Sequence, residues 1–239
     1  MEDVIALSGI PPGGRILEIG CGTGQATIDF ARRGFLVTGL EPGPALARLA
    51  RERLAAFPHV TVLPCTFEEW PLETGACDLI ISAQAFHWIA PEVRFVKSAE
   101  ALRAAGALAV FGNAVAYDRS PLRRSLNQIY EPFAPWLNKR VSPKWYADQD
   151  IVRQLFGESG RFGSVTSRNY PWSREYSSDD YLDLLRTHSD HRLLPQEQHD
   201  ALLDAVRQTI DNHGGTITVQ YEAHLYVASK AHPQATAQR

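Results

Sequence analysis

The chain has 239 residues, 44% hydrophobic and 21% charged, with 24 Lys and Arg against 27 Asp and Glu for a net charge of −3, which describes one large globular domain, or one with an insertion, able to bury a core without disulfide or metal staples. The slight acidity argues against a dedicated nucleic-acid binder, no apolar stretch approaches the roughly 18 residues of a membrane-spanning helix, and Glu2 and Asp3 spoil the profile of a signal peptide. Cys21, Cys65 and Cys77 are odd in number and form no C-x-x-C, so neither a disulfide framework nor a zinc site is expected, and a reducing cytoplasm is the expected compartment.

Taken along the chain, 15–19 reads as a buried strand, 25–33 as a helix stopped by Gly34, and 35–40 as a second strand. A helix over 44–56 follows, with Pro44 in its first turn and Leu46, Leu49, Ala50 and Leu54 at helical spacing. Strands are expected at 60–63, 78–82 and 107–111, with a helix over 91–105 closed by Gly106. Strands alternating with helices give right-handed βαβ units and a parallel sheet. Residues 113–150 mix four prolines with six aromatics and are expected as short helices folded over the sheet. Beyond them lie a helix at 150–158, a strand at 162–169, and a helix to about 188 with Ser177 as N-cap and Asp180 completing a capping-box-like pair. A helix over 195–212 is broken by Gly214 and Gly215, 216–228 alternates as a long last strand, and 231–239 is expected to be a disordered tail.

The sharpest motif is Leu17-Glu18-Ile19-Gly20-Cys21-Gly22-Thr23-Gly24, where the first strand turns into a helix. Glycines there permit a tight turn and close approach of a ligand to the main chain, and the amides of a helix start favour a carboxylate or phosphate. A plain tight turn is the bland alternative. Glu41, followed by Pro42, ends the second strand 21 positions after Gly20, where a carboxylate accepts hydrogen bonds from both hydroxyls of a ribose. Its bland alternative is a capping or surface role. A nicotinamide dinucleotide and S-adenosylmethionine both meet this description. The dinucleotide fingerprint is G-x-G-x-x-G, facing a pyrophosphate; here the spacing is G-x-G-x-G, and Gln25 stands where the third glycine belongs. The spacing favours a ligand without a pyrophosphate.

On these residues the chain resembles the class I S-adenosylmethionine-dependent methyltransferases, and within them the small-molecule branch that includes trans-aconitate methyltransferase. The likeness is good over 14–112 and looser beyond. It implies a Rossmann-like α/β fold in one domain over 1–230: a seven-stranded, mostly parallel sheet with an antiparallel last strand, helices on both faces, and an added helical cover from 113–160 and 171–213. It implies that Glu18, Gly20, Cys21, Gly22 and Gly24 hold the methionine part of the cofactor and that Glu41 and Pro42 hold the ribose. Thr66 and Phe67 flank the adenine, through a main-chain amide and the apolar Phe67 side chain; many relatives carry Asp at the position of Thr66, so an adenine amino contact by this side chain is not implied. Ser82, Ala83 and Gln84 line the cofactor between nucleoside and sulfonium, and 82–88 is itself similar to a recurring family segment. Relatives carry some tens of residues, in helices that close the pocket, before the first strand. Here about 14 precede it, which implies either a cover built by the C-terminal insertion or a chain start placed elsewhere.

Methyl transfer from a sulfonium is an in-line displacement, so the protein mainly positions the reactants and excludes water. A base is needed for an alcohol or phenol, none for a carboxylate, whose attack neutralises opposite charges. No catalytic triad is expected. His87 is the candidate base and Trp88 a pocket wall, at the carboxyl end of the fourth strand where ligands bind in open α/β sheets; a structural role for His87 is the alternative. Ser82-Ala83-Gln84-Ala85 lacks the acid or Asn with two prolines of base-amino methylases. Trp136 and Tyr146 are candidate substrate contacts in the aromatic cover. Arg119, Arg123, Arg124, Lys139 and Arg140 would bind an anion there, or simply form a solvated face, the favoured reading. His188, His191 and His199 do not have metal-site spacing, and no metal is expected. The expectation is methyl transfer to a carboxylate or hydroxyl oxygen of a small molecule, with no nucleic-acid or membrane partner and an oligomeric state left open. The rivals are a non-catalytic cofactor-binding protein, a protein or RNA methylase, and a NAD-dependent oxidoreductase.

Overall fold

The computed structural model describes residues 1–116, 120–135, 147–188 and 191–231. Its sheet has seven strands in the order β3-β2-β1-β4-β5-β7-β6: β1 (Arg15–Ile19), β2 (Leu36–Leu40), β3 (Val60–Leu63), β4 (Cys77–Ala83), β5 (Leu102–Val115), β6 (Thr166–Ser177) and β7 (Thr216–Ser229). The pairs β1–β2, β1–β4, β2–β3 and β4–β5 are all parallel. β7 runs antiparallel to β5: Lys230 donates its amide to Gly106 and Ala116 donates to Gln220, so residue numbers fall along one strand as they rise along the other. β4 is buried along six of its seven residues, as expected of a strand covered on both faces. Leu79, Ile80 and Ile81 are fully buried, worth about 1.5–3 kcal/mol each.

Among the described residues the α-helices are α1 (Glu2–Ser8), α2 (Thr27–Ala31), α3 (Pro44–Leu54), α4 (Pro91–Ala101), α5 (Pro121–Phe133), α6 (Gln149–Ser159), α7 (Ser178–Thr187) and α8 (Gln196–Asn212). α1 was not read from the sequence; Gly9, at φ 63, ends it in the left-handed conformation, and Val4 packs with Ile16, Phe30 and Leu79. The predicted helix over 91–105 stops four residues early. Leu102 is fully buried and extended, and pairs with Cys77; the chain then bulges through Ala105, at φ 62, before Ala107 pairs with Leu79. Burial of Leu102 against β4 outweighs continued helix. Ser177 caps α7 as expected, accepting from the Asp180 amide at 3.1 Å and donating to the Asp180 carboxylate at 2.8 Å.

The strand expected at 162–169 instead runs over Thr166–Ser177, eight residues past its predicted end and into a span assigned to helical cover. Pro171 lies within this strand. β6 is the sheet edge, so a residue without an N–H costs nothing on its unpaired side. Residues 113–150 were expected as short helices; among the described residues β5 continues to Val115 and the 13-residue helix α5 follows, while 117–119 and 136–146 lie outside the described residues. The tail after 231, expected to be disordered, lies outside the described residues.

The chain forms two compact units, Met1–Gly112 with Asp148–Asn169 and His224–Arg239, and Asn113–Ala147 with Tyr170–Ala223. The first holds the parallel sheet and an aromatic layer in which Phe95 meets Phe86, Phe156 and Phe162 at ring distances of 5.3, 5.0 and 6.1 Å. The second is cored by Leu126, Leu182, Leu202, Val206, Ile210 and Ile217. β5, β6 and β7 each contribute residues to both units. No helix among the described residues is long and apolar enough to cross a membrane.

Candidate functional site

The carboxyl ends of β1, β2 and β4 carry the predicted loop, Glu41 and the Ser82–Gln84 segment. Gly20 sits at φ 71, and a Cβ there would lie 2.3 Å from the Ala85 Cβ, so only glycine lets the loop pass the β4 exit. Gly22 and Gly24 are also left-handed, at φ 56 and 78. The amides of Gly20 and Cys21 both donate to Leu40 at 2.9 Å, and the Gly24 amide donates to Cys21 at 2.8 Å. The Gly22 amide donates to Glu41 at 2.9 Å. These four amides are therefore spent within the protein, and α2 is only five residues long. The expectation that the helix start captures an anion finds no support in them; the loop is shaped rather than charged.

Glu41 is 7% exposed. One carboxylate oxygen accepts from Gly22 and the other from the Gly43 amide, each at 2.9 Å. A carboxylate has about four acceptor sites, so each oxygen keeps capacity for a ribose hydroxyl while the two amides fix its orientation. Pro42, beside it, is exposed. This arrangement fits a nucleoside sugar.

Glu18 is 1% exposed. Burial pushes its carboxyl up to about 7, against the opposing pull of the Thr27 hydroxyl, which donates to it at 2.6 Å. A carboxylate held this far from water is stabilised by a bound ammonium. Cys21 lies between the acids, and burial, then Glu18 and Glu41, push its thiol up to about 12; it stays protonated and is no nucleophile.

At the β4 exit the Ser82 hydroxyl, fully buried, donates to the Ile19 carbonyl at 3.0 Å and stitches β4 to β1. Ala83 is half-buried. Gln84, exposed, adopts φ 57 and donates its amide to Phe111 at 2.9 Å. A non-glycine residue in that region stores about 1–3 kcal/mol of strain, a recurrent feature of ligand sites. A 3₁₀ turn, Phe86–Trp88, follows. Phe86 anchors it in the core. His87 and Trp88 have ring centroids 4.9 Å apart, and Trp88 is 77% exposed.

Thr66 and Glu69 hydrogen-bond reciprocally, hydroxyl to carboxylate at 3.0 Å and Glu69 amide to hydroxyl at 3.1 Å. The Phe67 ring is 2% exposed and stacks on Trp70, with the Lys97 ammonium 5.3 Å from its centroid. Its side chain thus turns inward. Trp136, Tyr146, Arg119, Lys139 and Arg140 lie outside the described residues. In the second unit Arg123 donates to the Tyr181 hydroxyl at 3.4 Å, His191 is buried with its Nε2 3.0 Å from the Tyr130 hydroxyl, and His199 faces Asp200 at 3.2 Å. A cavity of about 360 Å³, lined by Arg15, Thr38, His59, Trp70 and Glu73, sits at the amino ends of the strands, away from the loop. Sequence reasoning missed Thr27, Gly43 and Ala85. Their roles arise from contacts across elements, and no local spacing announces them.

A methyltransferase-domain family profile matches residues 16–106. An uncharacterized methyltransferase of Mycobacterium tuberculosis is 28% identical over 199 residues, 83% of this chain and 74% of that one. An uncharacterized methyltransferase-like protein of Schizosaccharomyces pombe is 28% identical over 221 residues, 90% of this chain and 82% of that one. Among solved structures, the Haemonchus contortus phosphoethanolamine N-methyltransferase 2, in complex with phosphomonomethylethanolamine and S-adenosylhomocysteine, superposes with a TM-score of 0.57 at 18% identity, covering 97% of this chain and 53% of that one; the chain spans about half the length of that enzyme. The matched span contains the glycine loop, Glu41 and the β4 exit. Over residues 16–106 the chain is thus similar to a methyltransferase domain, and its fold is that of class I S-adenosylmethionine-dependent methyltransferases.

Proposed function

We propose that the chain transfers the methyl group to an oxygen, carboxylate or hydroxyl, of a small molecule. The observation that carries this reading is the β4 exit. There the Ser82 hydroxyl is committed to Ile19, Ala83 and Ala85 are inert, and His87 is the titratable side chain of the segment 82–88. A carboxylate acceptor needs no base, and a hydroxyl needs a single one, which an imidazole supplies near neutral pH.

Bound S-adenosylmethionine supplies a methyl group already activated by its sulfonium leaving group. The chain's own residues bind and orient. Glu41, held by Gly22 and Gly43, takes the ribose hydroxyls, with Pro42 beside it. Glu18 faces the ammonium of the methionine part, and the loop of Gly20, Cys21, Gly22 and Gly24 shapes its seat. The main chain at Thr66 and Phe67 borders the adenine, and Ser82, Ala83 and Gln84 border the stretch toward the sulfur. Trp88, beside His87, offers an exposed apolar face to an acceptor. The free thiols of Cys21, Cys65 and Cys77 suit a reducing cytoplasm.

The test is methyl transfer by the purified full chain from S-adenosyl[methyl-³H]methionine to a panel of small carboxylic acids and phenols, with products identified by mass. Label in a methyl ester or ether is expected. Binding of S-adenosylhomocysteine with transfer to none of the panel, or transfer to RNA or protein alone, overturns the reading.

A further inference from the structure

The turn that carries Thr66 and Phe67 belongs to no helix or strand; the chain between β3 and β4, residues 64–76, is irregular. Such a segment keeps one shape only where other groups hold it. Thr66 and Glu69 close it locally: the Thr66 amide and hydroxyl both donate to the Glu69 carboxylate, at 3.2 and 3.0 Å, and the Trp70 amide donates to the Thr66 carbonyl at 3.0 Å. Burial of Phe67 and Trp70 roots the side chains. Apolar burial is non-directional, however, and does not settle which way the main-chain groups point. Direction comes from α4. The Lys97 ammonium donates to the Glu68 carbonyl at 2.8 Å and to the Trp70 carbonyl at 2.6 Å. It also lies 5.3 Å from the Phe67 ring centroid and 5.8 Å from that of Trp70, two rings stacked at 6.2 Å and 12°. One charge thus grips two carbonyls and two aromatic faces. The Glu68 carboxylate accepts from the Ala90 amide at 3.0 Å, which ties the same turn to the segment just past Trp88. The helix that bears the lysine is itself anchored, with Phe95, Ser98, Ala99 and Ala101 buried. All these residues lie in the first unit.

We infer that Lys97 is a positioning residue for the cofactor: by holding the Glu68 and Trp70 carbonyls it fixes the main chain of the turn, and so aims the Phe67 amide at the adenine ring. The inference rests on the reading that places the base at Thr66 and Phe67. The Thr66 amide is spent on Glu69, whereas among the described residues the Phe67 amide has no hydrogen bond. The ammonium is committed to the two carbonyls, so it acts through the turn. Without it the carbonyls lose their donor and the peptide planes of 67–70 are free to rotate. A directional contact to the base suffers from that rotation, and contacts to the sugar and the methionine part, made by other elements, do not.

The experiment is calorimetric titration of the full chain with S-adenosyl-L-homocysteine and with S-inosyl-L-homocysteine. Hypoxanthine carries an N–H where adenine has an acceptor nitrogen, so it meets a main-chain N–H with a donor. The parent is expected to prefer the adenine ligand by about tenfold or more, the cost of a lost and an unmade hydrogen bond. K97M should weaken S-adenosylhomocysteine about tenfold and leave the inosyl ligand within about threefold, so that the preference collapses; K97R, which can still donate to both carbonyls, should keep it within about threefold of the parent. A lysine with a merely structural role would weaken both ligands alike, and an unchanged preference in K97M overturns the inference. Where K97M does not fold in urea titration, K97Q serves the same comparison, and a parent-like preference in it is equally fatal. A parent that binds S-adenosylhomocysteine without preferring adenine refutes the placement of the base, and the inference with it; a parent that discriminates beside a K97M variant that discriminates equally refutes the role of Lys97 alone.

Discussion

A Glu18→Gln variant should gain stability over the parent chain as the pH rises from 5 to 8, in the absence of cofactor. The Glu18 carboxyl is pushed by burial from 4.5 to about 7 in the folded chain. Below 4.5 the folded and unfolded states both hold the proton. Between 4.5 and 7 the unfolded chain has released it and the folded chain has not, so this group's contribution to stability falls as the pH rises and is fully lost above about 7. The gap corresponds to about 3 kcal/mol, at roughly 1.4 kcal/mol for each pH unit. Gln keeps the shape and an acceptor for Thr27 and cannot ionise. Urea unfolding of both proteins at pH 5, 6, 7 and 8 gives the difference directly, and the other titrating groups cancel. The difference should move in favour of Gln by about 2–3 kcal/mol across the series. A constant offset would refute the reasoning, because it would mean that Glu18 ionises alike in both states. The cofactor should act in the opposite sense: an ammonium beside Glu18 rewards ionisation, so parent affinity for S-adenosylhomocysteine should rise between pH 6 and 8, while the variant binds more weakly and stays flat.

Glu41→Ala removes the acceptor of two backbone amides and the proposed ribose ligand; calorimetry should show S-adenosylhomocysteine binding weakened by more than about 1 kcal/mol, and unchanged affinity would move the sugar elsewhere. Gly20→Ala combines a left-handed backbone with a Cβ 2.3 Å from Ala85. It should cost about 2 kcal/mol or more in urea unfolding and abolish cofactor binding, whereas parent-like stability would contradict the close approach. Ser177→Ala removes the cap of α7 and should cost about 1 kcal/mol; a change below about 0.3 kcal/mol would show the cap to be redundant. Phe156→Ala opens a cavity among Phe95 and Phe162 and should cost about 3–5 kcal/mol, measured as a shift in urea midpoint at constant slope.

Much of the first unit was legible in one dimension. The strands at 15–19 and 60–63 and the start of α3 at Pro44 follow from local apolar runs and turn residues, which act within a few positions. The glycine loop and the acid ending β2 were visible for the same reason, because a parallel strand followed by a tight turn writes its constraint into adjacent residues. Glu18 was visible as a residue but not as a buried acid near neutrality, since that depends on the sheet closing over it and on Thr27, nine positions away.

The sequence by itself therefore determined the order of the elements, the alternating α/β architecture and the glycine turn that follows β1, all set by short-range periodicity and backbone geometry. Only the tertiary structure decided where α4 ends, since the register of Leu102 against Cys77 stops it. It likewise decided that β6 runs through Pro171, because an edge strand leaves one side unpaired. And it alone brought Asn113, Trp172 and Tyr221 together from three strands: pairing between distant strands is fixed by the sheet they join and leaves no spacing in the chain to read.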